Sequence, residues 1–80
     1  MARLRLFAAL SEIAGDSWVE VPGQTVGEVV EAASARFGER FAQVAAVSTF
    51  VVNGERAAAG DPLSPADEVA ILPPVSGGGS

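Results

Sequence analysis

Along residues 3–8 the apolar side chains Leu4, Leu6 and Ala8 alternate with Arg3, Arg5 and Phe7. A period of two marks a strand with one buried face. Phe7 departs from the pattern, because it falls on the charged side. An aromatic there is either tucked against a neighbouring strand or held out as a partner-binding anchor. Leu10-Ser-Glu-Ile-Ala-Gly15 reads as a short helical turn stopped by Gly15. Ser17-Trp-Val-Glu-Val alternates again and ends at Pro22, giving a second strand. The short connection favours antiparallel pairing with the first.

A different period follows. Val26, Val29, Val30, Ala33 and Phe37 recur at helical spacing and form one apolar stripe. Thr25-Val-Gly-Glu28 is a capping box: the Thr25 hydroxyl is placed to accept from the Glu28 amide, and the Glu28 carboxylate to accept in return. The pattern predicts a helix from Thr25 to Phe37, with a left-handed cap at Gly38. Gly27 and the β-branched Val29 and Val30 lower its propensity, so packing must hold it. Arg40 to Val47 has room for a further helical turn. Ser48-Thr-Phe-Val-Val is a third strand, and Asn53-Gly54 signals a hairpin returning through Glu55 to Ala58. Gly60 to Asp67 carries two prolines and reads as a turn region. Glu68-Val-Ala-Ile-Leu72 is the last strand, with Val69 and Ile71 on one face.

The order β, β, α, β, short β, β predicts an α+β roll with one main helix packed across a mixed sheet of four to five strands. The most apolar strand pairs are Leu4/Leu6 and Val69/Ile71, so the first and last strands are expected side by side in the centre. Residues 1–72 form the domain and 73–80 a tail.

Composition narrows the chemistry. The 80 residues include no Cys, His, Lys or Tyr. A disulfide scaffold, a thiolate nucleophile, a Schiff base, a Ser–His–Asp triad and a zinc site are thereby excluded. Self-contained catalysis is not expected, nor is a bound metal or cofactor; a carrier or binding role is. Five Arg against ten Asp plus Glu give a formal charge of −5. That disfavours nucleic acid and favours a protein partner with a basic docking face. No apolar run is long enough to span a membrane, and the start is no signal peptide, so no membrane partner and a cytoplasmic location are expected.

The end of the chain reads Pro73-Pro-Val-Ser-Gly-Gly-Gly-Ser80. The prolines stiffen the exit from the last strand. Extended at about 3.3 Å per residue, Pro73 to Gly78 reaches roughly 20 Å. Glycines lack the Cβ that would clash in a narrow channel of another protein. With no reactive side chain present, the C-terminal carboxylate is the group open to chemical activation. From Val75 onward the tail is expected to be mobile.

The sequence resembles the MoaD/ThiS sulfur carriers, small ubiquitin-like β-grasp proteins, and the MoaD branch most closely. The resemblance runs over nearly the whole chain. It rests on Leu6-Phe7-Ala8, on Ser11 to Gly15, on Val52-Asn53-Gly54, and above all on Leu63-Ser-Pro-Ala-Asp67 through Pro73-Pro74-Val75-Ser76-Gly77-Gly78. It implies that a MoeB-like adenylyltransferase uses ATP and magnesium to adenylate the terminal glycine. A sulfur donor protein then displaces AMP to leave a thiocarboxylate. A MoaE-like large subunit takes up the tail for molybdopterin synthesis. The resemblance assigns the activated position to Gly78, or to Gly79 if the register differs, with Gly77, Gly78 and Gly79 as the threaded tail. It makes Phe7, Leu72, Pro73, Pro74 and Val75 the partner interface. One departure stands out: the family ends at Gly-Gly, whereas this chain continues through Gly79-Ser80. Trimming, an added remnant, or an end at Gly79 would each account for it. Three other readings share the residues: a sulfur carrier for cysteine, thiamine or a thiolated metabolite; a ubiquitin-like protein modifier; and an interaction module whose tail is a linker.

Overall fold

In a computed structural model, which describes residues 1–74, the chain forms a five-stranded sheet ordered β2-β1-β5-β3-β4. The elements are β1 (Ala2–Leu6), α1 (Ala9–Ala14), β2 (Trp18–Val21), α2 (Val26–Phe37), α3 (Glu39–Ala46), β3 (Thr49–Val52), β4 (Glu55–Ala57) and β5 (Glu68–Leu72). The expected central pair is present. β1 runs parallel to β5, with Leu4 opposite Val69 and Leu6 opposite Ile71. β2 flanks β1 and β3 flanks β5, both antiparallel. The sheet is therefore mixed, and the architecture is the ubiquitin-like β-grasp expected of the chain.

Strand alternation decides which residues are buried. Ala2, Leu4, Leu6, Val19, Val21, Val69 and Ile71 face the helices and are buried. Val29 and Ala33 of α2, Phe41 and Ala45 of α3, and Leu10 of α1 close over them in one core. Phe37 and Phe41 meet with ring centroids 5.3 Å apart across the α2–α3 junction. No buried residue is polar or charged among those described. No described helix is long and apolar enough to cross a membrane.

Three local details differ from expectation. The Thr25 hydroxyl does accept from the Glu28 amide at 3.1 Å, but the Glu28 carboxylate reaches one residue further back and accepts from the Gln24 amide at 2.8 Å. The Thr25 carbonyl is meanwhile engaged by the Val29 amide, so the first turn is held from both sides of the cap. Gly38 has positive φ but lies at φ 106°, ψ 179°, outside the left-handed helical region. That conformation is open essentially to glycine alone, and it lets Gly38 end α2 and start α3 with no intervening loop. Finally, α3 is a two-turn helix rather than one turn, because Phe41 and Ala45 reach the core from one of its sides.

The Asn53-Gly54 turn is as expected: φ is 51° and 86°, the paired positive values of a tight two-residue hairpin loop. The Gly60–Asp67 region has a task beyond turning. The carbonyls of Ala59 and Asp61 accept from the Gly27 and Val26 amides at 2.7 and 3.0 Å, filling the open N-terminal positions of α2. Gly27 suits this approach, since a Cβ there would stand 3.1 Å from the Ala59 carbonyl oxygen and the loop would have to give by a few tenths of an ångström.

Candidate functional site: the open sheet face and the root of the tail

Helices cover one face of the sheet and leave the other open. Because side chains alternate, the open face carries Arg3 and Arg5 of β1, Trp18 and Glu20 of β2, Glu68, Ala70 and Leu72 of β5, Thr49 and Val51 of β3, and Arg56 of β4. Three of the chain's five cations stand here. With the carboxylates of Glu20 and Glu68 beside Arg3, the open face is mixed in charge and less acidic than the molecule as a whole.

Parallel pairing of β1 with β5 sets the geometry of the tail root. Leu6 is level with Ile71, so Phe7 and Leu72, the next residue on each chain, leave the sheet at the same end. Phe7, Leu72 and Pro73 are half-buried and Pro74 is exposed. Thr49 of β3 stands opposite Leu72. Just before it, Val47 is 66% exposed, a large apolar side chain left in solvent beside the same end. Immediately after Phe7, Ala8 holds φ 50°, ψ −127°, a conformation that disfavours any residue with a Cβ. It turns the chain sharply, the Leu10 amide donating to the Phe7 carbonyl at 3.1 Å. This turn takes α1 away from the open face and leaves Phe7 at the corner.

Phe7 lies one residue beyond the strand and stacks on Arg5. β1 ends at Leu6, and the Phe7 ring lies 5.2 Å from the guanidinium carbon of Arg5. Arg5 also lies 5.2 Å from the Trp18 ring centre, and Arg3 lies 4.7 Å from it. Two rings and two guanidinium groups are therefore interleaved along β1, β2 and the residue after β1, each cation held against a negative ring face.

Of the residues singled out in the sequence, the structure brings Phe7, Leu72 and Pro73 to one end, with Pro74 following. Val75, Gly77, Gly78 and Gly79, and with them the expected mobile tail and activated glycine, lie outside the described residues. Trp18, Ala70, Val51 and Val47 were not anticipated. The first three were accessible in principle, because each is offset by one from a buried strand position. Val47 had no such signal, lying in the junction between α3 and β3. Two surface depressions, one beside Asn53 and Arg56 and one beside Met1 and Leu63, lie at the opposite end from Leu72. Among the described residues no group of three or more acidic side chains is placed to hold a metal ion.

The sequence pattern of the ThiS family matches residues 4–78, which includes the tail through the second of the three glycines. No curated protein matches the chain significantly by sequence. Among solved structures, SAMP1 from Haloferax volcanii is 34% identical, with 96% of this chain and 98% of that one covered at a TM-score of 0.74. CysO in the Amycolatopsis orientalis BexX/CysO complex is 22% identical, covering 98% of this chain and 100% of that one at a TM-score of 0.81. The Helicobacter pylori complex of subunits 1 and 2 of molybdopterin-converting factor is matched at 20% identity, over 96% of this chain and 97% of that one, at a TM-score of 0.66.

Proposed function

The chain belongs to the ThiS family of small ubiquitin-like sulfur carriers, and from that premise we propose that it carries sulfur as a thiocarboxylate on Gly78 for molybdopterin synthesis. The observation that carries the reading is the parallel register of β1 and β5. It gathers Phe7, Leu72 and Pro73 around the point where the tail leaves the sheet. A partner that grips this corner holds the tail root fixed while the glycines extend into its active site.

The chemistry follows from what the chain lacks. A free terminal carboxylate, with an ordinary pKa of about 3.5, is ionised at neutral pH and is a poor electrophile. A MoeB-like adenylyltransferase, using ATP and magnesium, makes it an acyl-adenylate with loss of pyrophosphate. A sulfur nucleophile delivered by a donor protein attacks the carbonyl, and AMP leaves. Glycine presents that carbon without a Cβ. With no Cys, His or Lys in the chain, the catalytic groups belong to the partners. A MoaE-like large subunit then takes the tail; the molybdopterin-converting factor complex supports such a pairing.

The test compares a chain ending at Gly78 with the chain ending at Ser80, each incubated with a MoeB-like enzyme, ATP and a sulfur donor. Mass spectrometry is expected to show one oxygen replaced by sulfur in the first only. Two extra residues displace the carboxylate by several ångströms, and about 1 Å of misplacement costs on the order of a hundredfold in rate. Sulfur on Ser80 would contradict the assignment of Gly78. Molybdopterin formed from the thiocarboxylate and a MoaE-like subunit decides the pathway. The 34% identity to SAMP1, a small archaeal modifier protein, favours a second reading, conjugation of the same tail to lysines of other proteins. Isopeptide-linked products in place of molybdopterin would select it.

A further inference from the structure

Arg5 has no carboxylate in its row of the open face. Its cross-strand neighbours are Trp18 on β2 and Ala70 on β5, and the row continues through Val51 to Arg56. Arg3, two residues away, stands between Glu20 and Glu68. The balance of charge is thus complete around Arg3 and absent around Arg5. The Arg5 guanidinium carbon lies 5.2 Å from the centres of both Phe7 and Trp18. Stacking on rings occupies the flat side of a guanidinium and leaves its N–H edge free to donate.

We infer that Arg5 is a docking cation that receives a carboxylate from the protein partner seated on this face. The inference rests on the carrier reading and names the chemistry of the partner surface. Phe7 touches Arg5, so a partner that covers the apolar corner of Phe7 and Leu72 also removes Arg5 from water. A guanidinium stays charged at any accessible pH. Taking it out of water without a counter-charge is strongly unfavourable. Trp18, Ala70 and Val51 offer none, so the partner supplies it. Arg is suited to this, because its planar fork matches both oxygens of a carboxylate. The row also sets specificity. A uniformly basic partner is attracted by the chain's net charge of −5 but is rejected at Arg5 and Arg56. A surface with an Asp or Glu set among apolar residues satisfies both.

The experiment measures binding of the full-length chain to its cognate MoeB-like adenylating enzyme, with AMP transfer to the tail recorded in parallel. Arg5→Gln is expected to weaken binding at least tenfold, equivalent to about 1.4 kcal/mol, and Arg5→Glu by more. Arg36→Gln on α2 removes the same charge elsewhere and is expected to leave binding unchanged. An Asp or Glu of the enzyme changed to Arg is expected to restore Arg5→Glu. Thermal melting of each variant checks that the fold is intact. Wild-type affinity in Arg5→Gln, with AMP transfer proceeding, overturns the inference and leaves the carrier reading standing. Binding that depends on Arg5 without AMP transfer upholds the inference and removes the carrier reading. Failure of the wild type to bind overturns both. A dimer of the wild-type chain, seen by sedimentation and dissociated by Arg5→Glu, assigns the face to a second copy and overturns the proposed partner.

Discussion

The side-chain amide of Asn53 donates to the carboxylate of Asp67 at 2.9 Å, joining the β3–β4 turn to the start of β5. The Asn53 carbonyl oxygen accepts from the Glu68 amide at 3.0 Å, and the second Asp67 oxygen accepts from the Ser64 amide at 2.8 Å. One side chain from each loop therefore fixes where the central strand begins.

This arrangement predicts a dependence on pH. Hydrogen bonds from the Ser64 amide, and then from Asn53, hold the Asp67 carboxyl below its ordinary value of 3.8. A lowered value in the folded state gives stability that is present above 3.8 and lost as pH falls through the folded value. Asp67→Asn is expected to be less stable than the wild type at neutral pH, with the gap closing under strongly acidic conditions. Urea unfolding at both ends of that range measures it. An equal gap at both would separate Asp67 from the effect.

Gly23 is predicted to be intolerant of any side chain. It holds φ 152°, and an added Cβ would lie 2.7 Å from both the Val29 amide nitrogen and a Val29 methyl carbon. Gly23→Ala should cost about 1–3 kcal/mol through overpacking and backbone strain. Thermal denaturation reads this directly, and an unchanged melting temperature would show that the β2–α2 loop yields freely.

Phe41→Ala tests the weight of α3. Phe41 is fully buried against Phe37 and the sheet-facing core. The expected loss is about 3–5 kcal/mol, a large share of the roughly 5–15 kcal/mol of a small domain. Chemical denaturation is the measurement. A loss below about 1 kcal/mol would place α3 outside the cooperative core.

Phe7→Ala is expected to weaken binding to the adenylating enzyme by more than about 1 kcal/mol while changing stability less. Phe7 is half-buried and ends no strand, so its ring supports Arg5 more than the core. Calorimetry of binding beside thermal melting separates the two. A large fall in melting temperature with unchanged affinity would return Phe7 to a structural role.

Elements with a strict period were legible in the sequence. The Leu4/Leu6 and Val69/Ile71 pairs located the two central strands, and Thr25 with Glu28 located the start of α2. What escaped depended on contacts between distant segments. Nothing local tells that Glu28 reaches Gln24, or that Ala59 and Asp61 complete the N-terminus of α2. α3 was underestimated because its buried side is carried mainly by Phe41 and Ala45 on an eight-residue helix. Phe7 and Leu72 were singled out through their place in a motif, and the parallel register brings them to one end of the sheet. Trp18 and Arg5 became meaningful only once the register set them opposite each other. Overall charge averages over the surface and does not tell that Arg3, Arg5 and Arg56 share the open face.

Among the described strands β5 comes last in sequence and yet is the central one, bonded to β1 on one side and β3 on the other. Until it emerges from the ribosome, the two hydrogen-bonded halves, β1 with β2 and β3 with β4, have no common partner. Pairing residues about 65 apart in sequence is also slow in loop-closure terms. The two halves therefore close into one sheet only when β5 docks between them, and a chain cut before Glu68 has no strand to join them.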